Sequence, residues 1–306
     1  DVSLAVPTLH VGEVHRATSV RHDPAGKGIN VSRALAANGV ETTALFPADD
    51  YTGAHLVSLL SSSRIHLHTS PITESIRQNV TITDDYSTTK INEIGPTILP
   101  SEVRAFTDLI ADHLRSHPRF LVAAGSLPPG LDTNWLIDVA QAAAEHSIPF
   151  AADVSGEALA AVVESGCADL IKPNREELAE LLGHALVTTG DVVRGVRRLM
   201  HRPTQQALVS LGGHGALLVT SSDHWWAGSD PVTVASTVGA GDCTLAGYLS
   251  SPDSTPDTRL RNAVAWGTAA VTLPGTQIPT PHHIAAQSIH LRERPALSTV
   301  IEEFQP

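Results

Sequence analysis

Short apolar runs rich in β-branched residues alternate along the chain with longer stretches of helical periodicity. Between the runs, apolar residues recur at helical spacing, as Val31 and Leu35 do, and such residues form one face of a helix. Strands that alternate with helices build βα units, so the pattern predicts an α/β domain with a mostly parallel central sheet. The candidate core strands are residues 43–46, 119–124, 148–153, 169–172 and 206–211.

Two stretches, 2–22 and 72–97, depart from this rhythm. Both alternate apolar and polar residues without a helical pattern between their strands, as in Val80-Thr81-Ile82-Thr83. We expect them to pair as a small antiparallel sheet that covers the main sheet as a lid. Neither an internal repeat nor a low-complexity linker divides the sequence, which predicts a single domain over residues 1–306.

The composition is that of a folded protein. Hydrophobic residues make up 42% of the 306 residues and charged residues 17%, unlike a disordered chain. The formal net charge of −12 argues against a nucleic-acid partner, because affinity for nucleic acid comes largely from Lys and Arg. A small anionic substrate is compatible with this charge, since a local cationic pocket or a helix N-terminus can bind it.

The small number of cysteines and the absence of a long apolar run indicate the cellular compartment of the protein. Cys167 and Cys243 are the only two cysteines, which is too few for a disulfide framework. No run of about 18–20 apolar residues is present to span a membrane. We therefore expect a cytoplasmic protein that does not bind membranes.

A glycine turn, Thr237-Val238-Gly239-Ala240-Gly241-Asp242, precedes a helical pattern in which Leu245 and Leu249 are four residues apart. Free amides at such a helix N-terminus bind anions, and this places Asp242 at an anion site. The alternative is that Asp242 only caps the helix. A dinucleotide fingerprint is disfavoured, because Thr244 stands where its third glycine is needed.

A second glycine-lined turn, Asp23-Pro24-Ala25-Gly26-Lys27-Gly28-Ile29-Asn30, also enters a helix. Its central lysine is suited to a phosphate. It is not a Walker A loop, because Gly28 follows Lys27 where that loop requires Ser or Thr. An ordinary turn with an exposed lysine would have the same sequence.

Two further turns follow predicted strands. In Lys172-Pro173-Asn174-Arg175-Glu176-Glu177-Leu178, the spacing of Asn174 and Glu177 is explained equally by a capping box and by contact with magnesium or phosphate. The stretch Ser210-Leu211-Gly212-Gly213-His214-Gly215 is suited to a nucleotide or to a glycine-rich hairpin turn.

The second lid segment has two pairs of polar residues at alternating spacing. Arg77 with Asn79, and Lys90 with Asn92, each point to one face of a strand. Together they would form a cationic face for a phosphate, whereas each residue alone is typical of ordinary surface charge.

Five motifs in this order make the chain similar to the PfkB branch of the ribokinase-like carbohydrate kinases, above all to the bacterial 1-phosphofructokinases. They are AGKGIN, GSLPPG, KPNREEL, SLGGHG and STVGAGD, and the resemblance runs from Asp1 to about Pro281. It implies a ribokinase-like three-layer α/β/α domain with a β-sheet lid, and an enzyme that uses ATP, Mg²⁺ and a phosphosugar.

The resemblance also implies roles for individual residues. Asp242 would be the catalytic base, with an anion hole formed by Gly239, Ala240 and Gly241. Glu177 would hold Mg²⁺ through water. The nucleotide would lie against Lys172, Asn174, Ser210, Gly212, Gly215, Thr237 and Gly241. The phosphosugar would lie against Asp1, Gly26, Lys27, Asn30, Arg77, Asn79, Lys90 and Ser126.

The sequence departs from the family pattern in two places. Asp1 stands where the aspartate of an N-P-x-x-D motif is expected, so we expect the first core strand, roughly ten residues with its turn, to precede it. Ala25 replaces the first glycine of G-G-K-G.

The substrate implied by the resemblance is fructose 1-phosphate, with tagatose 6-phosphate and fructose 6-phosphate as alternatives. A non-catalytic sugar-phosphate sensor is the alternative from another class. The exposed edge of the lid sheet is a place where two subunits would pair as a homodimer.

Overall fold

The computed structural model describes residues 1–202 and 205–304. The strands are β1 Val2–Ala5, β2 Ser19–His22, β3 Thr43–Ala48, β4 His66–Pro71, β5 Asn79–Thr83, β6 Thr88–Asn92, β7 Leu121–Ala124, β8 Phe150–Asp153, β9 Leu170–Ile171, β10 Gln206–Ser210, β11 Ala216–Thr220, β12 His224–Ser229 and β13 Ile289–Glu293. The helices are α1 Lys27–Ala37, α2 Thr52–Leu60, α3 Pro100–Leu114, α4 Thr133–Glu145, α5 Gly156–Ser165, α6 Arg175–Leu182, α7 Thr189–Leu199, α8 Ala240–Leu249, α9 Pro256–Val271 and α10 Pro281–Ala285.

Across the described residues, the main sheet has seven strands in the order β13-β12-β11-β10-β9-β8-β7. Strands β7 to β10 are parallel, as predicted, and each comes from one of the predicted apolar runs. Strands β10 to β13 are antiparallel. The remaining predicted run, 43–46, forms β3, which pairs in parallel with β4 in a separate two-stranded sheet.

Helices cover both faces of the main sheet. Leu208 and Leu218 belong to a core cluster that includes residues of α1, α8 and α9. Their neighbours Val209 and Leu217 belong to a second cluster, which includes residues of α6 and α7. Because successive residues of a strand point to opposite faces, the two clusters lie on opposite sides of one sheet. The three-layer α/β/α architecture is confirmed.

Strands from the two predicted lid segments form a sheet of their own in the order β2-β1-β5-β6. The sequence predicted antiparallel pairing throughout, and the β1–β5 pair is instead parallel, from Val2 opposite Val80 to Ala5 opposite Thr83. No hairpin joins these two strands, so the connection between them does not impose the antiparallel direction. The β1–β2 and β5–β6 pairs are antiparallel.

None of the helices in the described ranges is both long and apolar enough to cross a lipid bilayer.

Candidate active site

Asp242 lies in the first turn of α8 and is 6% exposed. The residue before the helix, Gly239, has a φ of +79°, a conformation that favours glycine, and no side chain caps the helix. Oδ2 of Asp242 accepts a hydrogen bond of 2.8 Å from Nδ2 of Asn30, which is 212 residues away in the chain. The carboxylate therefore points to another helix rather than capping its own.

That hydrogen bond places two helix N-termini side by side. Helix α1 begins at Lys27 after Gly26, which has a φ of +130°, and no side chain caps this helix either. Asn30 lies in the first turn of α1, as Asp242 does in α8. Helix N-termini carry partial positive charge and free amides, so the two together form an environment suited to an anion.

Asp153, at the end of β8, lies between two of the three predicted site lysines, Lys27 and Lys172. Its Oδ1 accepts a 2.9 Å hydrogen bond from Nζ of Lys27. Its Oδ2 lies 3.2 Å from Nζ of Lys172 and outside hydrogen-bonding geometry. Asp153 is 1% exposed and Lys172 is 5% exposed. Both ammonium groups are thereby positioned near the first turns of α1 and α8.

Asp153 was not among the residues predicted from the sequence, because a single aspartate that closes an apolar strand matches no known site motif. The available signal was its position at the carboxyl end of a predicted parallel strand, where α/β proteins bind ligands.

The ionisation of Asp242 reflects its burial. Burial raises the pKa of Asp242 to about 6, while the hydrogen bond from Asn30 and the charges of Lys172 and Lys27 act to lower it. The charge of Asp153 acts in the same direction as burial. A carboxylate with this pKa is ionised at neutral pH and accepts a proton more readily than an ordinary aspartate.

Lys27 is held in its charged form. Burial acts to lower its pKa, but the negative charges of Asp153, Glu177 and Asp242 outweigh burial, and the pKa of Lys27 is raised. Glu177 is therefore close enough to Lys27 to interact with it electrostatically.

Four of the predicted sugar-binding residues, Asp1, Gly26, Arg77 and Asn79, line one cleft, and Lys27, Asn30, Lys90 and Ser126 lie outside its lining. NH1 of Arg77 donates a hydrogen bond of 3.0 Å to Oγ of Ser126. The other residues that line this cleft include His22 and His55. Asp242 is not part of this lining.

Lys90 lies away from this group, on the edge strand β6. It is opposite Thr81 and exposed, whereas Asn92 is opposite Asn79. The register places Lys90 on the same face as Asn79, one row further along the sheet.

Most of the predicted nucleotide-binding residues lie at or after the ends of β9 and β10, and Thr237 and Gly241 lie at the start of α8. Asn174 and Glu177 form a capping box, with hydrogen bonds of 2.7 and 2.8 Å between each backbone amide and the other side chain. Asn174 also pairs with Ser210 in a parallel bridge. A Cβ added to Gly241 would lie 3.3 Å from Nζ of Lys172, so α8 begins beside that lysine.

The glycine turn after Ser210 joins β10 to β11. Gly212 and Gly215 both have positive φ, and a Cβ at Gly215 would lie 2.0 Å from the carbonyl oxygen of Ala227. Only glycine fits there. The Thr237 carbonyl oxygen accepts from the amide of Ala240 at 3.4 Å, at the start of α8.

Of the acidic residues around Lys27, Glu177 is the one whose chemistry suits a magnesium ion. Among the described residues, no group of three or more His, Cys, Asp or Glu side chains is arranged to hold a metal. Mg²⁺ does not need such a group, because it usually keeps several waters and binds one or two carboxylates together with substrate phosphates. Glu177 supplies a carboxylate of this kind, whereas both oxygens of Asp153 face lysine ammonium groups.

Comparison with known proteins agrees with the geometry. The family described as pfkB family carbohydrate kinase matches residues 1–283. The ATP-dependent 6-phosphofructokinase isozyme 2 of Escherichia coli (strain K12) is 32% identical over 284 residues, 91% of each chain. The 1-phosphofructokinase of Bacillus subtilis (strain 168) is 32% identical over 251 residues, 82% of this chain and 81% of that protein.

A solved structure is similar over nearly the whole fold. Phosphofructokinase-2 from Escherichia coli, in complex with substrates and products, superposes with a TM-score of 0.85 at 31% identity and covers 93% of both chains. The chain therefore belongs to the pfkB family of carbohydrate kinases and is an ATP-dependent sugar-phosphate kinase.

Proposed function

We propose that the protein phosphorylates fructose 1-phosphate to fructose 1,6-bisphosphate, with Asp242 as the base. The observation that carries the proposal is the hydrogen bond between Asn30 and Asp242 at two uncapped helix N-termini. It places a carboxylate that can accept a proton in an environment that stabilises negative charge.

In the proposed reaction, the carboxylate of Asp242 accepts the proton of the 6-hydroxyl group. The oxygen of that hydroxyl forms a bond to the γ-phosphorus of ATP, and the bond between that phosphorus and the oxygen of the leaving ADP breaks. Phosphoryl transfer requires mainly alignment of these oxygens and stabilisation of the charge that develops on the phosphoryl group.

Other groups around Asp242 stabilise the negative charge of the phosphoryl group and of ATP. The backbone amides of Gly239, Ala240 and Gly241 stabilise the transferring phosphoryl group at the start of α8. Lys172 lies beside Gly241 and acts on the same negative charge. Mg²⁺, held through water by Glu177, would neutralise charge on the ATP phosphates.

The phosphate already present on the sugar needs its own cations. Arg77, fixed by its hydrogen bond to Ser126, supplies planar donors that suit a phosphate. Lys27 is the second cation, and its pairing with Asp153 holds its ammonium group near the first turns of α1 and α8. Asp1 and Asn79 line the same cleft and bind the sugar hydroxyls.

Fructose 6-phosphate is the second candidate, because a 6-phosphofructokinase and a 1-phosphofructokinase are each 32% identical to this chain. A coupled ADP-release assay with fructose 1-phosphate, fructose 6-phosphate, tagatose 6-phosphate and ribose separates the candidates. We expect the highest kcat/KM with fructose 1-phosphate. A higher kcat/KM with another of these sugars would identify that sugar as the substrate instead of fructose 1-phosphate. Binding of a phosphosugar without ADP release would indicate a sugar-phosphate sensor.

Activity is expected to rise with pH through about 6, because Asp242 must be ionised to act as base and burial raises its pKa to about 6. The substrate phosphate also titrates near pH 6, so variants are needed to assign this rise. Asn30→Ala removes a hydrogen bond that lowers the pKa of Asp242 and should move the rise to higher pH.

Asp153→Asn removes a charge that raises the pKa of Asp242 and should move the rise to lower pH. The measurement is kcat against pH for the three proteins. Shifts in the same direction, or no shift in either variant, would show that another group controls the profile.

We also propose that a second copy of the chain packs on the outer face of the small sheet, the face that points away from the cleft. Asn79 lines the cleft, so Val80 and Ile82, which alternate with it along β5, lie on the outer face. The other apolar residues that the strand registers place on the outer face are Val2, Leu4, Val20 and Ile91. Val20 and Ile91 are 57% and 56% exposed, and half-buried apolar residues of β1 and β5 lie between them across the sheet. An apolar surface of this kind marks an interaction site.

Ile91→Asp is expected to halve the mass measured by light scattering, because it adds a charge within the proposed contact, on its edge strand β6. Val187→Asp is the matched control, since Val187 is 48% exposed and precedes α7 on the main body. A monomeric wild-type protein would contradict the proposal.

A further inference from the structure

Arg33 lies one helical turn after Asn30 on α1 and makes contacts with three separate segments. Its NH1 donates to the carbonyl oxygen of Pro24 at 2.8 Å, to Oδ1 of Asn30 at 3.3 Å and to the carbonyl oxygen of Thr276 at 3.2 Å. The side chain is half-buried, and burial lowers its pKa. One guanidinium thus connects the turn before α1, the partner of Asp242 and the loop after α9.

The chemistry of these groups determines how the Asn30 amide is oriented. A guanidinium only donates hydrogen bonds, and an ionised carboxylate only accepts them. Asn30 lies between the two and has one accepting oxygen and one donating nitrogen. Its oxygen must face Arg33 for its NH₂ group to face Asp242, so a donor on the Arg33 side favours a single orientation.

We propose that Arg33 is a positioning residue that holds the NH₂ group of Asn30 against the carboxylate of Asp242. This inference rests on the proposed role of Asp242 as the base. Arg33 touches none of the reacting atoms in this proposal and acts through Asn30. The contacts to Pro24 and Thr276 hold the guanidinium in place from both sides.

Without Arg33, the Asn30 amide gains a second orientation. A protonated Asp242 can donate its O–H to the oxygen of a rotated Asn30, which stabilises the protonated form. The other charges that act on Asp242 are Lys27 from α1, Asp153 from β8 and Lys172 from the end of β9, and they stay in place. Cys243, next to Asp242, is uncharged because burial raises its pKa to about 12.

The test compares kcat against pH for wild type, Arg33→Met and Arg33→Lys. Arg33→Met should move the rise in activity upward by roughly half to one pH unit, which corresponds to one net hydrogen bond. The loss of kcat should be large at pH 6 and small at pH 8, and KM for ATP should not change. Arg33→Lys keeps a donor and should recover part of the shift.

The same substitution in an Asn30→Ala background separates positioning from a direct effect of the arginine charge. Arg33→Met should cause no further shift there, because no amide remains to be oriented. An equal shift in both backgrounds would show that the charge acts directly on Asp242, and an unchanged profile in Arg33→Met alone would also overturn the proposal.

Arg259→Met is the matched control. Nε of Arg259 donates to the carbonyl oxygen of Tyr248 at 3.2 Å, and its guanidinium carbon lies 3.9 Å from the centre of the Tyr248 ring. Removing this guanidinium should lower the free energy of unfolding without moving the pH profile. If both variants moved the profile, the effect of Arg33 would be a general loss of packing.

The free energy of unfolding, measured against pH, tests the role of Arg33 without requiring turnover. The pKa of Asp242 is raised from its ordinary 3.8 to about 6, so its contribution to stability is full below about pH 4 and lost as pH rises through about 6. Asp242→Asn cannot ionise and should gain stability relative to its parent over this window, measured as the free energy of unfolding.

In the Arg33→Met background, the upper end of this window should move upward by the same half to one unit. No movement would overturn the inference even if the enzyme were inactive on every phosphosugar. Failure of the proposed function would appear separately, as absence of ADP release by the wild-type protein.

Discussion

Asp242→Asn is expected to lower kcat by a factor of about 10²–10⁴, the usual contribution of a general base. The substituted side chain has nearly the same shape and can still accept the hydrogen bond from Asn30, but it cannot take the proton of the sugar hydroxyl. KM for ATP should change little, because the first turn of α8 is preserved. The measurement is steady-state ADP release with saturating phosphosugar at pH 8.

Asp191→Asn is the matched control for this variant. Asp191 occupies the same third position of a helix, in α7, and accepts hydrogen bonds from Thr188 in a capping box. Its substitution should affect the stability of α7 and leave kcat unchanged. Near-normal turnover in Asp242→Asn, or an equal loss in both variants, would contradict the assignment of Asp242 as base.

Arg77→Met is expected to raise KM for the phosphosugar by roughly 10- to 100-fold, since a hydrogen bond to a charged group contributes about 1.5–3 kcal/mol. The change removes the cation that Ser126 orients at the cleft. KM for ATP should stay the same, because Arg77 lies on the sugar side. Initial rates over a range of phosphosugar concentrations give this measurement.

Unphosphorylated fructose provides the internal control, because it has no phosphate for Arg77 to bind. Its much lower kcat/KM should be nearly the same in Arg77→Met as in wild type. Arg104→Met, which removes an exposed arginine from α3, should leave both substrates unaffected. An equal loss with fructose and its phosphate would show that Arg77 acts on the fold of the cleft.

The parallel strands of the main sheet were predictable from local sequence patterns. The apolar runs at 119–124, 148–153, 169–172 and 206–211 are the parallel strands β7 to β10. Since parallel strands end at one edge of a sheet, Ser126, Lys172 and Ser210 were expected to lie at the same edge. Motif order then indicated the kinase family, which comparison with known proteins confirmed.

Other features depend on residues that are distant in the chain. The parallel pairing of β1 with β5 could not be read from alternation, because alternation shows which residues share a face and not which strand is the partner. Strand β3 was identified correctly as a strand, yet its pairing with β4 outside the main sheet is a matter of how the layers pack.

The candidate active site was likewise predictable only in part from local sequence. A glycine turn before a helix, with an aspartate in its first turn, is a local arrangement, and the sequence was enough to select Asp242 as a candidate. Whether that aspartate caps its helix or faces a ligand depends on Asn30, and Asn30 comes within 2.8 Å only when α1 packs against α8. Asp153 and Arg33 acquire their significance in the same way, because hydrogen bonds between distant segments, and the burial that shifts a pKa, exist only in the folded chain.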